Sequence, residues 1–346
     1  MDSYELVVLA GDIGGTNTNL ALVGKKDGAF SILFDRHYKT KEEPSLVEPL
    51  RRFLAEAARE KPGLEPSTCC ISGAGPVEEG RIALTNAPWG IDGPGIERAF
   101  GLPTRVINDF TAVSYGVLNL DPEDPKEITR LASPDGTVAP IGAGPRLIVG
   151  AGTGLGVGYV ATVRGRSEAF PSEGGHITLP VYDEETRALQ RWLEAKYGFP
   201  PGAEAGVSGM GIAQIFSFLA EREPGGPGEA ARRILAEPED RRPALVAGAA
   251  SSDAACGRTM DMFVKLYARV AADLSAAFIP TGGLYLAGGI ASKNEARFAE
   301  GARFMAMFER SYRGHITSIL RKVPVMIVKD YDISLYGAAK AADLLA

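Results

Sequence analysis

A chain of 346 residues exceeds the ~250–300 at which a single hydrophobic core stops growing, so it predicts two domains with separate cores. Its 45% hydrophobic content is that of an ordinary soluble globular protein, and a formal net charge of −6 argues against a nucleic-acid partner, which would call for a basic patch. Three cysteines, Cys69, Cys70 and Cys256, make neither a disulfide framework nor a zinc-ligand spacing, so reduced thiols in a cytoplasmic protein are expected.

Met1–Glu5 carries no basic stretch, so no signal peptide is expected. Strands are predicted at about 5–11, 17–24 and 30–38, with hairpin chemistry at Gly24-Lys25-Lys26-Asp27-Gly28. A helix follows at about 44–61, where Leu46, Leu50, Phe53, Leu54 and Ala57 recur at helical spacing. Strands at Thr68–Ser72 and about 80–85, a helix at about 93–100 and a strand at Arg105–Ile107 lead to Asn108-Asp109, where a helix of about 110–118 begins. The Asp-, Pro-, Gly- and Ser-rich stretch at about 119–145 reads as a linker or a surface excursion.

The opening pattern then recurs in Leu147–Ala151, Gly156–Val163 and Glu168–Phe170. Within it, the longest apolar run, Leu147–Val163, is broken by five glycines, so it reads as strand–turn–strand and not as a membrane span. Helices at about 184–198 and 257–279, strands at Leu284–Ala287 and Val323–Val328, and a helix from about Ser334 complete the chain. The segment at about 221–244 reads as a solvated loop containing a short helix. The order predicts an α/β fold of two mixed domains flanking a cleft, the usual place for a small-molecule site.

The chemistry concentrates in two glycine-rich hairpins, Gly11-Asp12-Ile13-Gly14-Gly15-Thr16-Asn17 and Gly150-Ala151-Gly152-Thr153-Gly154-Leu155-Gly156. Such turns let backbone N–H groups approach an anion without a Cβ in the way. Neither Gly-x-x-x-x-Gly-Lys-Ser/Thr nor Gly-x-Gly-x-x-Gly occurs, which excludes a P-loop and a dinucleotide fingerprint. An acid beside phosphates calls for a cation, so Asp12 suits the Mg²⁺ of bound ATP; the competing reading is an Asp that satisfies its own turn. Asp109 is the candidate base, at a helix N-terminus whose dipole favours its ionised form, and a plain helix cap is the alternative. Glu173 and His176, around Gly174-Gly175, offer an acceptor and a donor to a polyol, with a metal site as the competing idea. Glu204, followed by Ser208-Gly209, is a further hydroxyl acceptor or an ordinary surface acid.

Five segments together resemble the bacterial glucokinases of the ATP-dependent hexokinase group, within the actin-like ATPase superfamily. They are Gly11–Asn17; Thr85-Asn86 with Trp89; Ile107–Ala112; Gly150–Gly156 with Glu173–His176; and Leu286–Ile290. The resemblance implies an ATP:hexose 6-phosphotransferase built from ribonuclease-H-like domains, most simply one acting on glucose. By position it implies Asp109 as catalytic base and sugar contact, and Asn108, Glu173, His176 and Glu204 as glucose contacts. Gly11 to Asn17 would form the first phosphate loop, with Asp12 reaching Mg²⁺ directly or through water. Gly152-Thr153-Gly154 would form the second, and Gly288-Gly289 would lie near adenosine. The implied small domain is about 1–117 plus 331–346 and the large one about 118–330. A homodimer is implied, and structural zinc, DNA and membrane partners are not. Glu204 is followed by Ala205 where the family commonly has Arg. A kinase for another polyol and a non-catalytic sugar or nucleotide sensor use the same residues, and turnover separates them.

Overall fold

The computed structural model describes residues 4–84, 87–330 and 332–344. Thr85-Asn86, part of the resemblance, and both chain ends lie outside the described residues. Among the described residues there are thirteen strands: β1 (Leu6–Ile13), β2 (Asn17–Lys26), β3 (Ala29–Lys39), β4 (Thr68–Gly73), β5 (Arg81–Ile82), β6 (Ile91–Asp92), β7 (Thr104–Asn108), β8 (Ile128–Arg130), β9 (Arg146–Ala151), β10 (Leu155–Val163), β11 (Arg166–Ser172), β12 (Gly283–Ala287) and β13 (Val325–Val328).

The first sheet has the order β3-β2-β1-β4-β7. β1 and β2 pair antiparallel, as do β2 and β3, whereas β1, β4 and β7 run parallel, so their carboxyl ends share one edge. Central β1 is covered on both faces, which is why Val8-Leu9-Ala10 is a continuous apolar run and not an alternating one. Leu9, Ile13, Leu20, Leu22, Cys69 and Ile71 form one cluster with Leu50 and Phe53 of the helix Val47–Glu60. Ala10, Ala21 and Cys70 are buried outside that cluster, and the helix Ile333–Leu344 packs against β1, β2 and β4. Adjacent Cys69 and Cys70 thus serve different faces, and both thiols are free. The helix Ile333–Leu344 also crosses the helix Asp109–Gly116 at glycine: a Cβ on Gly337 would lie 1.7 Å from the Ala112 carbonyl oxygen.

The second sheet, β11-β10-β9-β12-β13-β8, repeats the first sheet's order, third-second-first-fourth-fifth, and adds β8 at the edge. β12 is parallel to β9 and β13, and β8 is antiparallel to β13. Behind it, Leu147 and Val149 share a core with Phe263, Leu266 and Val270 of the helix Ala254–Phe278. By internal contacts the chain divides into two compact units, Met1–Asp121 with Val160–Pro171 and Asp330–Ala346, and Pro122–Tyr159 with Ser172–Lys329. No helix among the described residues is long and apolar enough to cross a membrane.

The structure differs from the sequence reading in particular places. The stretch read as a linker contains β8, whose three residues are too few to show a period. The loop expected at 221–244 holds the short helix expected within it, Glu229–Ala236, and differs only in that a second helix, Arg242–Ala249, starts before its end. A helix at Gly209–Glu221 was not expected: nine of its thirteen residues are buried, so it has no polar face to set a helical pattern. The strand expected at 80–85 is only β5, paired with β6.

Candidate active site

Three parallel strand ends assemble the acidic half of the site on the first unit. The register places Asp12 beside Ser72 and Ser72 beside Ile107, and, one residue further, Ile13 beside Gly73 and Gly73 beside Asn108. Asp12 and Asn108-Asp109, remote in sequence, are thereby brought to the carboxyl edge of one sheet, where open α/β folds place their ligands. Asn108 caps the helix Asp109–Gly116: its Oδ1 accepts from the N–H groups of Phe110 (2.9 Å) and Thr111 (3.3 Å), and its Nδ2 donates to the Gly75 carbonyl at 3.1 Å. Asp109 is the first residue of that helix, and its Oδ1 accepts the Phe110 N–H at 2.8 Å.

Burial, with a smaller contribution from the Asp12 charge, pushes the Asp109 carboxyl up to about 6 against the opposing Phe110 hydrogen bond. The helix dipole had pointed the other way; desolvation and a neighbouring carboxylate outweigh it. Asp12 is also raised by burial, with Ser334, Asn19 and Ser72 opposing. Ser334, on the helix Ile333–Leu344, donates its hydroxyl to Asp12 Oδ2 at 2.9 Å. The Ser72 hydroxyl lies 3.5 Å from Asp12 Oδ1 and 3.0 Å from the Gly11 carbonyl, the better acceptor.

The first glycine turn is tied at its base. Gly14 N–H donates to the Asn17 carbonyl at 2.9 Å, and the Thr40 hydroxyl donates to the Gly14 carbonyl at 2.7 Å. Lys39 Nζ donates to Asn17 Oδ1 at 2.8 Å, which brings a cation to this turn. The sequence reading missed Lys39 because only the β2–β3 register, which pairs Asn17 with Lys39, reveals it.

The second glycine turn and the remaining candidates lie on the second unit. Gly152 N–H donates to the Gly154 carbonyl at 2.8 Å, closing the turn after β9. In the parallel neighbour β12, Ala287 pairs with Gly150, so Gly288-Gly289 emerge at the same edge. Gly288 has φ +88°, and a Cβ there would lie 2.7 Å from the Ala151 carbonyl oxygen. Tyr267, fully buried on the helix Ala254–Phe278, holds the end of β9: its hydroxyl donates to the Val149 carbonyl at 2.7 Å and accepts the Ala151 N–H at 3.3 Å. Nothing in the sequence distinguished it from its apolar neighbours. Tyr267→Phe removes both bonds from the buried end of β9, and a loss of about 1 kcal/mol is expected in denaturant unfolding.

Glu173 and His176 flank the turn Gly174–His176, with side chains 93% and 67% exposed and Oε2 and Nε2 3.7 Å apart. Beyond them, Ala203 N–H donates to the Ile177 carbonyl at 2.6 Å and Leu179 N–H to the Pro201 carbonyl at 3.0 Å. These bonds set the Glu204 turn beside the Glu173–His176 turn. Glu204 Oε2 accepts the Leu155 N–H at 2.8 Å, so it also touches the second glycine turn. Among the described residues no group of three or more His, Cys, Asp or Glu is placed to hold a metal, and Glu173 and His176 form a pair only. The first unit thus carries two carboxylates that resist ionisation beside an N–H-rich turn. The second carries exposed polyol donors and acceptors beside another.

A family model for glucokinase matches residues 9–345. The chain belongs to the glucokinase family. It is 32% identical to a glucokinase from Trichormus variabilis over 350 residues, covering 97% of this chain and 98% of that one. A Synechocystis glucokinase is 34% identical, with 96% of this chain and 97% of that protein covered. The solved glucokinase of an Antarctic psychrotroph superposes with a TM-score of 0.81 at 27% identity, covering 97% of this chain and 98% of that one. This glucokinase family member is therefore an enzyme of glucose phosphorylation, with the actin-like fold of the sugar kinases.

Proposed function

We propose that the protein transfers the γ-phosphoryl group of ATP to the 6-hydroxyl of glucose, with Asp109 accepting the hydroxyl proton. The observation that carries this assignment is the Asp109 carboxyl, held at a strand edge and raised to about 6. A base works best when its pKa lies near the working pH, and at neutral pH this group is mostly ionised yet more basic than an ordinary aspartate. In a loose phosphoryl-transfer transition state the attacking hydroxyl loses its proton late, so orientation and a ready acceptor suffice. Asn108 fixes the backbone that presents Asp109, and its second amide proton is left for a sugar hydroxyl. Glu173, His176 and Glu204 take the other hydroxyls in this reading. The two glycine turns, Gly14–Asn17 and Gly152–Gly154, receive the phosphates, and Gly288-Gly289 lies on the adenosine side.

Asp12 fits Mg²⁺: it is a carboxylate raised by burial, and its charge makes ionisation of Asp109 harder, so a cation at Asp12 relieves both. Mg²⁺ is usually held by one or two carboxylates with phosphate oxygens and water, and when bound it neutralises charge on the transferring phosphates. Ser334 keeps Asp12 turned for that role. We place the enzyme in the cytoplasm, where Cys69, Cys70 and Cys256 stay reduced, and as a homodimer, which light scattering tests.

The reaction is tested by ADP release from Mg-ATP with a panel of hexoses beside a no-sugar control. ADP release that depends on glucose, with glucose 6-phosphate as product, is the expected result. Turnover of another hexose with little of glucose would move the substrate, and sugar binding without turnover of ATP would overturn the proposal.

A further inference from the structure

The segment that carries Glu204 is fastened to the second glycine turn at several points. Glu204 Oε2 accepts the Leu155 N–H at 2.8 Å, and Gly209 N–H donates to the Gly152 carbonyl at 2.8 Å. The Ser208 hydroxyl donates to the Glu204 carbonyl at 2.8 Å and accepts the Gly211 N–H at 3.0 Å, so the cap of the helix Gly209–Glu221 fixes the turn that presents the carboxylate. Gly154 lies directly against that carboxylate. A Cβ there would sit 2.4 Å from Oε2, and since the Gly154 φ lies outside the left-handed region, the carboxylate itself is what excludes a side chain.

We propose that Glu204 is a positioning residue for the second glycine turn, so that nucleotide binding depends on its carboxylate even when no sugar is present. The proposal deepens the kinase reading: Oε2 holds the turn while Oε1 stays available to a sugar hydroxyl. One side chain then serves both substrates, and whatever fixes it for one ligand is felt by the other. The alternative within the same geometry is an acid that only repels phosphate, and it predicts the opposite sign.

The test is the affinity of the full chain for Mg-AMPPNP without sugar, measured by calorimetry for the wild type, Glu204→Ala and Glu204→Gln. The Ala variant is expected to bind about tenfold more weakly, whereas Gln, whose amide oxygen can accept the same N–H, stays within about threefold. Gly154→Ala, which displaces the carboxylate, is expected to weaken binding comparably in the wild type and to add little in the Glu204→Ala background. If Glu204→Ala does not fold, the Gly154→Ala effect in the wild type and its reduction in the Glu204→Asp background, where the shorter carboxylate no longer meets the added Cβ, carry the test. Unchanged or tighter nucleotide binding by Glu204→Ala, or equal weakening by Ala and Gln, would overturn the proposal. A lowered melting temperature with unchanged affinity would likewise reduce Glu204 to a structural residue. The KM for glucose is read separately: if Glu204→Gln leaves it unchanged, the sugar-contact reading fails while the nucleotide result stands.

Discussion

Asp109→Asn is expected to lower turnover by about 10²–10⁴-fold while making the protein more stable above pH 6. The first effect follows from losing the proton acceptor without losing the shape, since an Asn oxygen can still take the Phe110 N–H that Asp109 Oδ1 takes at 2.8 Å. The second follows from the raised carboxyl, about 6 in the fold against the ordinary value of 3.8. Because the folded state holds the proton more tightly than the unfolded chain, this group's contribution to stability is greatest below about pH 4. It is lost as pH rises through 6, where folding must bury a charge. Removing that charge is expected to return about 1–3 kcal/mol near pH 7.5 and almost nothing at pH 4. Steady-state kinetics and guanidinium unfolding at both pH values check the two arms together. Near-normal turnover would remove Asp109 from the chemistry. Loss of turnover with no stability gain would mean the site does not hold the carboxylate under strain.

What the sequence made legible was local. The two glycine turns showed because each interrupts apolar strands, and Asn108-Asp109 showed because a strand ends where a helix begins. The recurrence of strand-like segments around a glycine turn was visible for the same reason, whereas the strand order within each sheet was not. The contacts that tune these residues depend on register and packing, which no short window contains. Ser334 reaches Asp12 across 322 positions, Glu204 reaches Leu155 across 49, and Lys39 reaches Asn17 across 22. Tyr267 was hidden differently: a buried aromatic on an apolar helix gives no sign that its hydroxyl closes the end of a strand. Asp109 shows how local reasoning fails in sign. A helix N-terminus argues for a depressed carboxyl, yet burial at the sheet edge, with Asp12 beside it, raises it instead.

The acid limb of the kcat/KM profile for glucose is therefore expected near pH 6, well above that of an ordinary aspartate, with turnover lost as pH falls. Its steepness carries the more decisive information. The Asp12 charge raises the affinity of Asp109 for its proton, so the limb reports on both carboxylates and not on Asp109 alone. If Asp109 must be ionised to accept the hydroxyl proton and Asp12 must be ionised to face the metal, two protons extinguish activity. The slope then approaches about one-hundredfold per pH unit below both values, against about tenfold for one group. Asp12→Asn removes one titration and one repelling charge. Whatever turnover survives should show a shallower limb moved to lower pH, by up to about one unit for a partly buried like-charged neighbour. Because midpoint and slope are independent of absolute rate, a crippled variant still answers the question. A wild-type limb near pH 4 would mean that burial does not raise Asp109 in the working enzyme, and one that Asp12→Asn leaves in place would mean that the two carboxylates do not sense each other.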